Sequence, residues 1–220
     1  MRRWLAALAL LAFIAFARAA GADPDDYVAT PAVESGEREI ELRLGTATED
    51  PRHSAASLAF GYGVTPWWAT EIYGKWNRSD ATRFDAFEWE NRLQLTEAGQ
   101  YFADFGLLVE LERPHDRAEG YELRLGPLLQ KDLGPVQANV NVLVGRRYRS
   151  SEPQVTELGY QWQIKYRWRP AFEFGAQGFG DIGPWNHWAA AHEQSHVLGP
   201  AIFGKVGLGG RQAVKYDAAL

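Results

Sequence analysis

The sequence predicts an all-β fold, an antiparallel up-and-down transmembrane β-barrel, from three observations. Apolar and polar residues alternate with period two over most of the chain after residue 36, which is typical of strands with one apolar face. Clusters of Gly, Pro, Asn and Asp interrupt this alternation at short intervals. Long polar connections also alternate with short ones, as in outer-membrane barrels with short periplasmic turns and long outer loops.

The composition favours β-structure and excludes several classes of protein. Aromatic residues make up 13% of the 220 residues and there are 22 glycines, whereas the single methionine is unusual for a helix bundle. Because the chain has no cysteine, it has neither a disulfide framework nor a thiolate nucleophile. Its net charge of -5 also excludes strong steering toward phosphate, so we expect no nucleic-acid partner.

The first segment is predicted to be a cleaved signal peptide, residues 1–19. Arg2 and Arg3 precede an apolar run from Trp4 to Ala17, and Ala17-Arg18-Ala19 has the small-x-small pattern of a cleavage site. The run is shorter than the roughly 20 residues of a transmembrane helix. With the predicted barrel, export leads us to expect a location in the cell outer membrane, with membrane lipid and the barrel-insertion machinery as partners. Residues 20–36 are then an N-terminal periplasmic lead, and residues 37–220 are the barrel domain.

Eleven segments carry the strand pattern. In the first, Ile40, Leu42 and Leu44 alternate with Glu39, Glu41 and Arg43, and the eighth repeats this over twelve residues. The eleven alternating segments are 39–44, 57–64, 68–76, 87–95, 101–112, 121–130, 136–144, 157–168, 172–177, 202–208 and 214–220. No Lys, Arg, Asp or Glu falls on the apolar parity within them, so one face of each predicted strand excludes charge.

The connections decide whether that apolar face looks at lipid or into a soluble core, since a soluble sandwich or lipocalin-type barrel alternates in the same way. Odd-numbered connections are long and polar: 45–53, 77–83, 113–118, 147–154 and 181–197. Even-numbered ones, such as Thr65-Pro66 and Gly209-Gly210, are expected to stay within a few residues. Aromatic residues of the apolar parity gather near both strand ends and predict two interfacial girdles: Tyr62, Trp68, Tyr101, Trp168 and Phe172, then Trp76, Phe87, Tyr121 and Tyr160.

An odd strand number is incompatible with antiparallel closure, because the first and last strands would run in the same direction. Bacterial single-chain barrels have even strand numbers. We therefore expect a barrel of twelve or more strands whose C-terminal strand is missing here, unless one strand is miscounted.

The stretch from Ser195 to Lys205, SHVLGPAIFGK, together with the signal, the acidic lead and the repeated short strands, carries a resemblance to a known group. The chain resembles proteobacterial outer-membrane barrel proteins associated with aromatic meta-pathway degradation or copper resistance. The resemblance implies an outer-membrane location and solute passage or metal handling. It implies no catalytic residue.

The polar parity of the strands predicts the lining of the barrel lumen, in which acidic residues outnumber basic ones. These residues either pair into a plug of ion pairs or line a narrow water-filled path with mild cation preference. The predicted lumen residues are Glu39, Glu41, Arg43, Glu71, Lys75, Glu88, Glu90, Arg92, Asp104, Glu110, Glu122, Arg124, Glu157, Lys165, Arg167, Glu173 and Lys205.

The last long connection contains His192-Glu193-Gln194-Ser195-His196, which has the spacing of a zinc-binding helix, and His187 lies five residues upstream. A short helix here could place the imidazoles on one face; the alternatives are surface metal binding or a plain polar loop. Ser195 beside His196 suggests a hydrolase at the rim, but adjacent strand residues point to opposite faces.

The sequence thus predicts an outer-membrane channel or transporter for a small solute, without a cofactor and not an enzyme. The alternatives are a structural or copper- or zinc-binding barrel that does not transport and, third, a lipid-modifying enzyme at the rim.

Overall fold

The computed structural model describes residues 26–46, 53–152 and 154–219. Within these residues, eleven β-strands form one sheet that closes into a barrel, and the only helical element is a short 3-10 turn at Arg117–Glu119. The predicted all-β barrel is therefore confirmed. The predicted signal peptide, residues 1–19, lies outside the described residues. No helix within the described ranges has the length and apolar character needed to span a membrane.

The strands follow one another around the barrel in chain order. The first six are β1 Arg38–Thr46, β2 Ser54–Thr65, β3 Trp68–Arg78, β4 Thr82–Gln94, β5 Asp104–Pro114 and β6 Tyr121–Leu133. The remaining five are β7 Val136–Tyr148, β8 Glu157–Arg169, β9 Phe172–Pro184, β10 Ser195–Gly209 and β11 Gln212–Ala219.

The barrel closes through a parallel pair. All neighbouring strands are antiparallel except β1 and β11, which run in the same direction with Ile40 opposite Val214 and Leu42 opposite Tyr216. The expectation that eleven strands cannot close is therefore wrong for this chain. A parallel ladder also satisfies the backbone groups of both edge strands, so an odd number leaves no open edge among the described strands.

The apolar parity faces outward and the charged parity faces inward. On β3, Ile72 is 59% exposed, whereas Glu71 on the same strand is 2% exposed. On β4, Trp89 is exposed between the buried Glu88 and Glu90. This is the reverse of a water-soluble barrel, whose apolar face fills the interior.

The two ends of the barrel differ in their connections. Four short connections, 66–67, 134–135, 170–171 and 210–211, lie at one end, which we call the turn end. The last of these turns needs positive φ at Gly209 and Gly210, a backbone region that glycine adopts without steric cost. The expected strict alternation fails at two places: residues 95–103 form a long connection at the turn end, and the connection expected over 77–83 is reduced to residues 79–81. The opposite end, the loop end, carries the remaining connections.

Exposed aromatic side chains form a band near each end of the outer surface. Tyr62, Tyr101 and Trp168 are exposed near the turn end, and Phe87 and Tyr148 near the loop end. Strands β5 and β7 also extend further than predicted. Their extra residues include Arg113, which lies 4.1 Å from the Tyr121 ring, and Arg146 opposite Leu123, so charge does reach the outer parity at the loop end.

Candidate functional site

The interior of the barrel has two chemically different walls. Strands β1 to β5 present mainly carboxylates and guanidinium groups, which form the charged wall. Strands β6 to β9 present buried amides, which form the amide wall: Gln130, Gln137, Asn139, Asn141, Gln161, Gln163 and Gln177. Because each amide both donates and accepts hydrogen bonds, the two walls together can bind a polar molecule on opposite sides.

Residues 26–36, which we call the N-terminal segment, run through the interior. At the turn end, the Gly36 N–H donates to the Gly63 carbonyl at 2.7 Å, and the Gly63 N–H donates to the Glu37 carbonyl at 2.9 Å. Lys205 on β10 pairs with Glu34 at 3.1 Å and with Glu37 at 2.5 Å. The sequence suggested a lead that precedes the barrel; its described part is instead enclosed by the barrel.

The middle of the segment packs in a small apolar cluster inside the barrel. Ala29 contacts Leu108, Leu128 and Leu143, which are almost completely buried. Side chains of the barrel wall also bond its backbone, since the Asn141 amide donates to the Ala29 carbonyl at 2.9 Å. These contacts satisfy backbone groups that would otherwise be buried without partners.

Two glycines let the backbone of the segment approach the wall. A Cβ atom at Gly63 would lie 2.0 Å from the Glu34 carbonyl oxygen, and one at Gly106 would lie 2.7 Å from the Pro31 Cβ. Both distances are shorter than van der Waals contact. Only glycine therefore fits at these positions while the segment occupies the lumen.

Arg43 links the segment to the charged wall. Its guanidinium carbon lies 3.1 Å from the centroid of the Tyr27 ring and 4.2 Å from that of Tyr73, so it is held between two aromatic rings. It also donates to the Tyr73 hydroxyl, which in turn donates to the Glu71 carboxylate. The Arg43 side chain is 5% exposed, so this arrangement blocks the centre of the lumen.

Carboxylates stand directly opposite one another on the charged wall. Glu71 on β3 pairs in register with Glu90 on β4, and Glu90 pairs with Glu110 on β5. Like charges in this arrangement are destabilising unless bases compensate them. Arg92 contributes most of that compensation, because it contacts Glu71, Glu90 at 3.0 Å and Glu39 at 3.5 Å.

The lumen is divided into separate cavities. One, of about 770 Å³, lies toward the turn end between the two walls. A second of about 120 Å³ lies toward the loop end, where Asp26 and Glu157 line it, and a third of about 10 Å³ lies between them beside Tyr27 and Arg43. In the described residues, the N-terminal segment and the Arg43 contacts thus separate the two mouths.

The structure places the predicted lumen residues on the inner face. Those around the large cavity are Glu39, Glu41, Glu71, Arg92, Asp104, Lys165, Arg167, Glu173 and Lys205. Those around the two smaller cavities are Arg43, Lys75, Glu88, Glu110, Glu122, Arg124 and Glu157. Glu90 lines none of these cavities because it is fully buried in the charged wall.

The structure does not bring the histidines of the last loop together. The segment around His192 is a turn rather than the predicted helix, and His196 belongs to β10. The ring of His196 faces outward and hydrogen-bonds the Tyr160 hydroxyl at 2.9 Å. Among the described residues, the groups of side chains close enough to share a metal ion contain no histidine. Because His192 and His196 do not lie on one helix, their spacing does not bring the two imidazoles to a common face.

Sequence reasoning missed the N-terminal segment and the residues that hold it. The available signal was the presence of Leu108, Leu128 and Leu143 on the otherwise polar inner parity. Apolar side chains at three inner positions require an apolar partner inside the lumen, and Ala29 supplies it.

No protein-family model, curated protein or solved structure matches the chain. The resemblance to barrels associated with aromatic meta-pathway degradation or copper resistance therefore stays a prediction from the sequence.

Proposed function

We propose that this protein is an outer-membrane β-barrel that passes a small polar solute through its lumen when the N-terminal segment is displaced. One observation carries the membrane part of the proposal: large apolar side chains cover the outer face while carboxylates and guanidinium groups fill the interior. A closed barrel leaves no unpaired strand edge, which is the condition for strands to cross hydrocarbon. The two aromatic bands fit the two membrane interfaces.

The orientation follows from the connections. Short turns of outer-membrane barrels face the periplasm, so we place the turn end there and the loop end outside. The chain then needs the barrel-insertion machinery and membrane lipid as partners. The cavity of about 770 Å³ opens toward the periplasmic side in this orientation, and its volume is within the range of small-molecule sites.

The transport part of the proposal rests on the way the segment is held. Its contacts are side-chain hydrogen bonds, a small apolar cluster, the stacking of Tyr27 on Arg43, and an ion pair and the Gly36 backbone bond at the turn end. Residues 26–36 belong to none of the barrel strands. An element held in this way can leave while the barrel hydrogen bonds stay intact. Its removal takes away one of the two barriers between the large cavity and the loop end, and the wall contacts of Arg43 form the other.

A non-transporting structural barrel is the second candidate. The buried contacts of Arg43 and Arg92 with neighbouring carboxylates favour it, because they fill the centre of the lumen. No enzymatic activity is proposed. Ser195 and His196 lie at adjacent strand positions with opposite orientations, which cannot form a nucleophile–base pair.

Conductance across a planar bilayer distinguishes the two candidates. The full mature chain and a variant lacking residues 26–35 are inserted separately, and their single-channel currents are compared. Transport with a displaceable plug predicts small or intermittent currents for the full chain and larger, steady currents for the deletion variant. A deletion variant that folds, as shown by heat-modifiable gel mobility, but stays silent would favour the structural barrel.

A further inference from the structure

Three buried carboxylates meet on the charged wall at the junction of β4 and β5. Glu88 and Glu90 are two residues apart on β4 and therefore face the same side, and Glu110 is the direct partner of Glu90 on β5. One carboxylate oxygen from each lies within 4.8 Å of the other two. Glu90 is fully buried, and Glu88 and Glu110 are each 5% exposed.

Every base that contacts this cluster lies closer to an acid outside it. Lys75 is 3.4 Å from Glu88 but 3.0 Å from Glu112. Arg124 is 3.8 Å from Glu110 but 3.2 Å from Glu122. Arg92 lies 3.0 Å from Glu90 and closer still to Glu71. The three cluster carboxylates therefore share bases that mainly compensate other acids.

Three oxygens of the cluster accept no hydrogen bond. Both carboxylate oxygens of Glu90 and the Oε2 atom of Glu110 are buried, and no group among the described residues donates a hydrogen bond to them. Of the three, Glu90 Oε1 lies 3.0 Å from Arg92 Nε in an ion pair. Burying a carboxylate oxygen without a partner is costly, so a positive ligand at this point is favoured. A cavity of about 10 Å³, which Glu88 and Glu110 line, adjoins the cluster and has room for one water-sized species.

We propose that Glu88, Glu90 and Glu110 bind one divalent cation, and that the cation is Ca²⁺. The ligand set consists only of oxygen atoms, which hard cations prefer, and it lacks the nitrogen and sulfur ligands that select zinc or copper. The three oxygens lie within 4.8 Å of one another, a span that Ca²⁺ bonds of about 2.4 Å can bridge. Mg²⁺ usually keeps several of its waters, and the adjoining cavity of about 10 Å³ has no room for them.

A second group of three carboxylates lies nearby, but its ion pairs make it a weaker candidate for a cation site. Glu39, Glu41 and Glu71 also bring three carboxylate oxygens together. There, however, Lys215 lies 2.7 Å from Glu39, Arg43 lies 3.3 Å from Glu41, and Arg92 contacts Glu71 at the shortest distance it makes. Each carboxylate of that group thus has a base within 3.3 Å, whereas the nearest bases of Glu88 and Glu110 lie at 3.4 and 3.8 Å.

Binding is tested with Tb³⁺, a luminescent substitute for Ca²⁺, on the full mature chain folded in detergent micelles. Tyr27 and Tyr73 line the same small cavity as Glu88 and Glu110, so excitation of tyrosine should sensitise emission from a bound ion. We expect emission to saturate at one Tb³⁺ per chain and to fall when Ca²⁺ is added. Glu90→Gln and Glu110→Gln should each weaken Tb³⁺ binding by about tenfold or more.

Glu173→Gln is the matched control, because Glu173 is also a lumen carboxylate paired with a base, Lys165 at 2.9 Å, but lies outside the cluster. Its Tb³⁺ affinity should equal that of the wild type. Where a cluster variant fails to fold, the unfolding temperature of the wild type decides, and Ca²⁺ should raise it. Absence of saturable emission and of any Ca²⁺-dependent shift in the wild type overturns the proposal, as does unchanged affinity in folded Glu90→Gln. Neither readout involves conductance, so the result is independent of the transport proposal.

Discussion

The guanidinium carbon of Arg43 lies 3.1 Å from the centroid of the Tyr27 ring, the shortest charge–aromatic distance among the described residues, and joins the N-terminal segment to the first barrel strand. Arg43 simultaneously contacts Glu41 and Tyr73 on the wall. One side chain therefore takes part both in fixing the segment and in balancing the carboxylates of the charged wall. A variant at this position should affect both the plug and the stability of the barrel.

We expect Arg43→Met to destabilise the folded barrel by about 3–5 kcal/mol, since it removes one partner of a buried ion pair and leaves carboxylate charge uncompensated. The measurement is equilibrium urea unfolding in lipid vesicles, followed by tryptophan fluorescence. Arg167→Met is the control, because Arg167 pairs with Asp132 at a more exposed position near the turn end and should cost less than about 1 kcal/mol. Equal costs for both variants would contradict the central role of Arg43.

A methyl group at Gly63 should loosen the N-terminal segment. In Gly63→Ala the new Cβ meets the Glu34 carbonyl oxygen at 2.0 Å, so the segment must move away from β2. We expect faster cleavage of residues 26–36 by a non-specific protease added to the folded protein. Gly207→Ala is the matched control, since a Cβ at this strand glycine meets nothing within 4 Å. Identical cleavage rates in the two variants would show that the segment does not depend on its approach to Gly63.

The outer face can be tested by the depth dependence of a charge substitution. Ile72 lies in the middle of β3 and is 59% exposed, and Leu208 lies near the turn end of β10 and is 61% exposed. In a bilayer, Ile72→Lys should cost about 2–4 kcal/mol and Leu208→Lys about 0–1 kcal/mol. In water both substitutions place a lysine on an exposed surface and should cost little. Unfolding free energies that do not differ between the two variants would contradict the membrane assignment.

The parallel pairing of β1 with β11, which we call the seam, can be tested by cross-linking because the chain has no cysteine of its own. Ile40 and Val214 are register partners on β1 and β11, so the double variant Ile40→Cys with Val214→Cys should form a disulfide on mild oxidation. Ile40→Cys with Ala218→Cys is the control, because these positions are four residues out of register and too far apart to bridge. A cross-link in the control but not in the matched pair would disprove the observed closure.

The strands and the polarity of the two faces could be predicted because period two is a local property of the sequence. Each segment such as 157–168 shows on its own which side chains share a face, and the placement of Glu71 or Glu90 on the inner face follows directly. The connections were predictable for the same reason, apart from 79–81 and 95–103. In 95–103, Asp104 accepts a hydrogen bond from the Gly99 N–H and Thr96 accepts one from the Phe105 N–H, and β5 begins only at Asp104.

The position of the N-terminal segment depends on contacts that no local pattern shows. Its residues have no strand periodicity, and its main partners, such as Leu108 and Asn141, lie far away in the sequence. The histidine motif failed in the opposite way, because a local spacing was interpreted on a helix where the chain forms a turn and a strand. The seam was missed because the rule of even strand numbers excludes parallel closure, which the described strands nevertheless adopt.

The seam also sets an order of assembly. Its two strands come from opposite ends of the domain, so the cylinder cannot be sealed until the last of the eleven has been delivered. The apolar cluster around Ala29 comes from β5, β6 and β7, which pair with one another and not across the seam, so this part of the segment's contact surface can form before closure. The barrel can therefore close around the N-terminal segment, and the segment need not enter a barrel that is already closed.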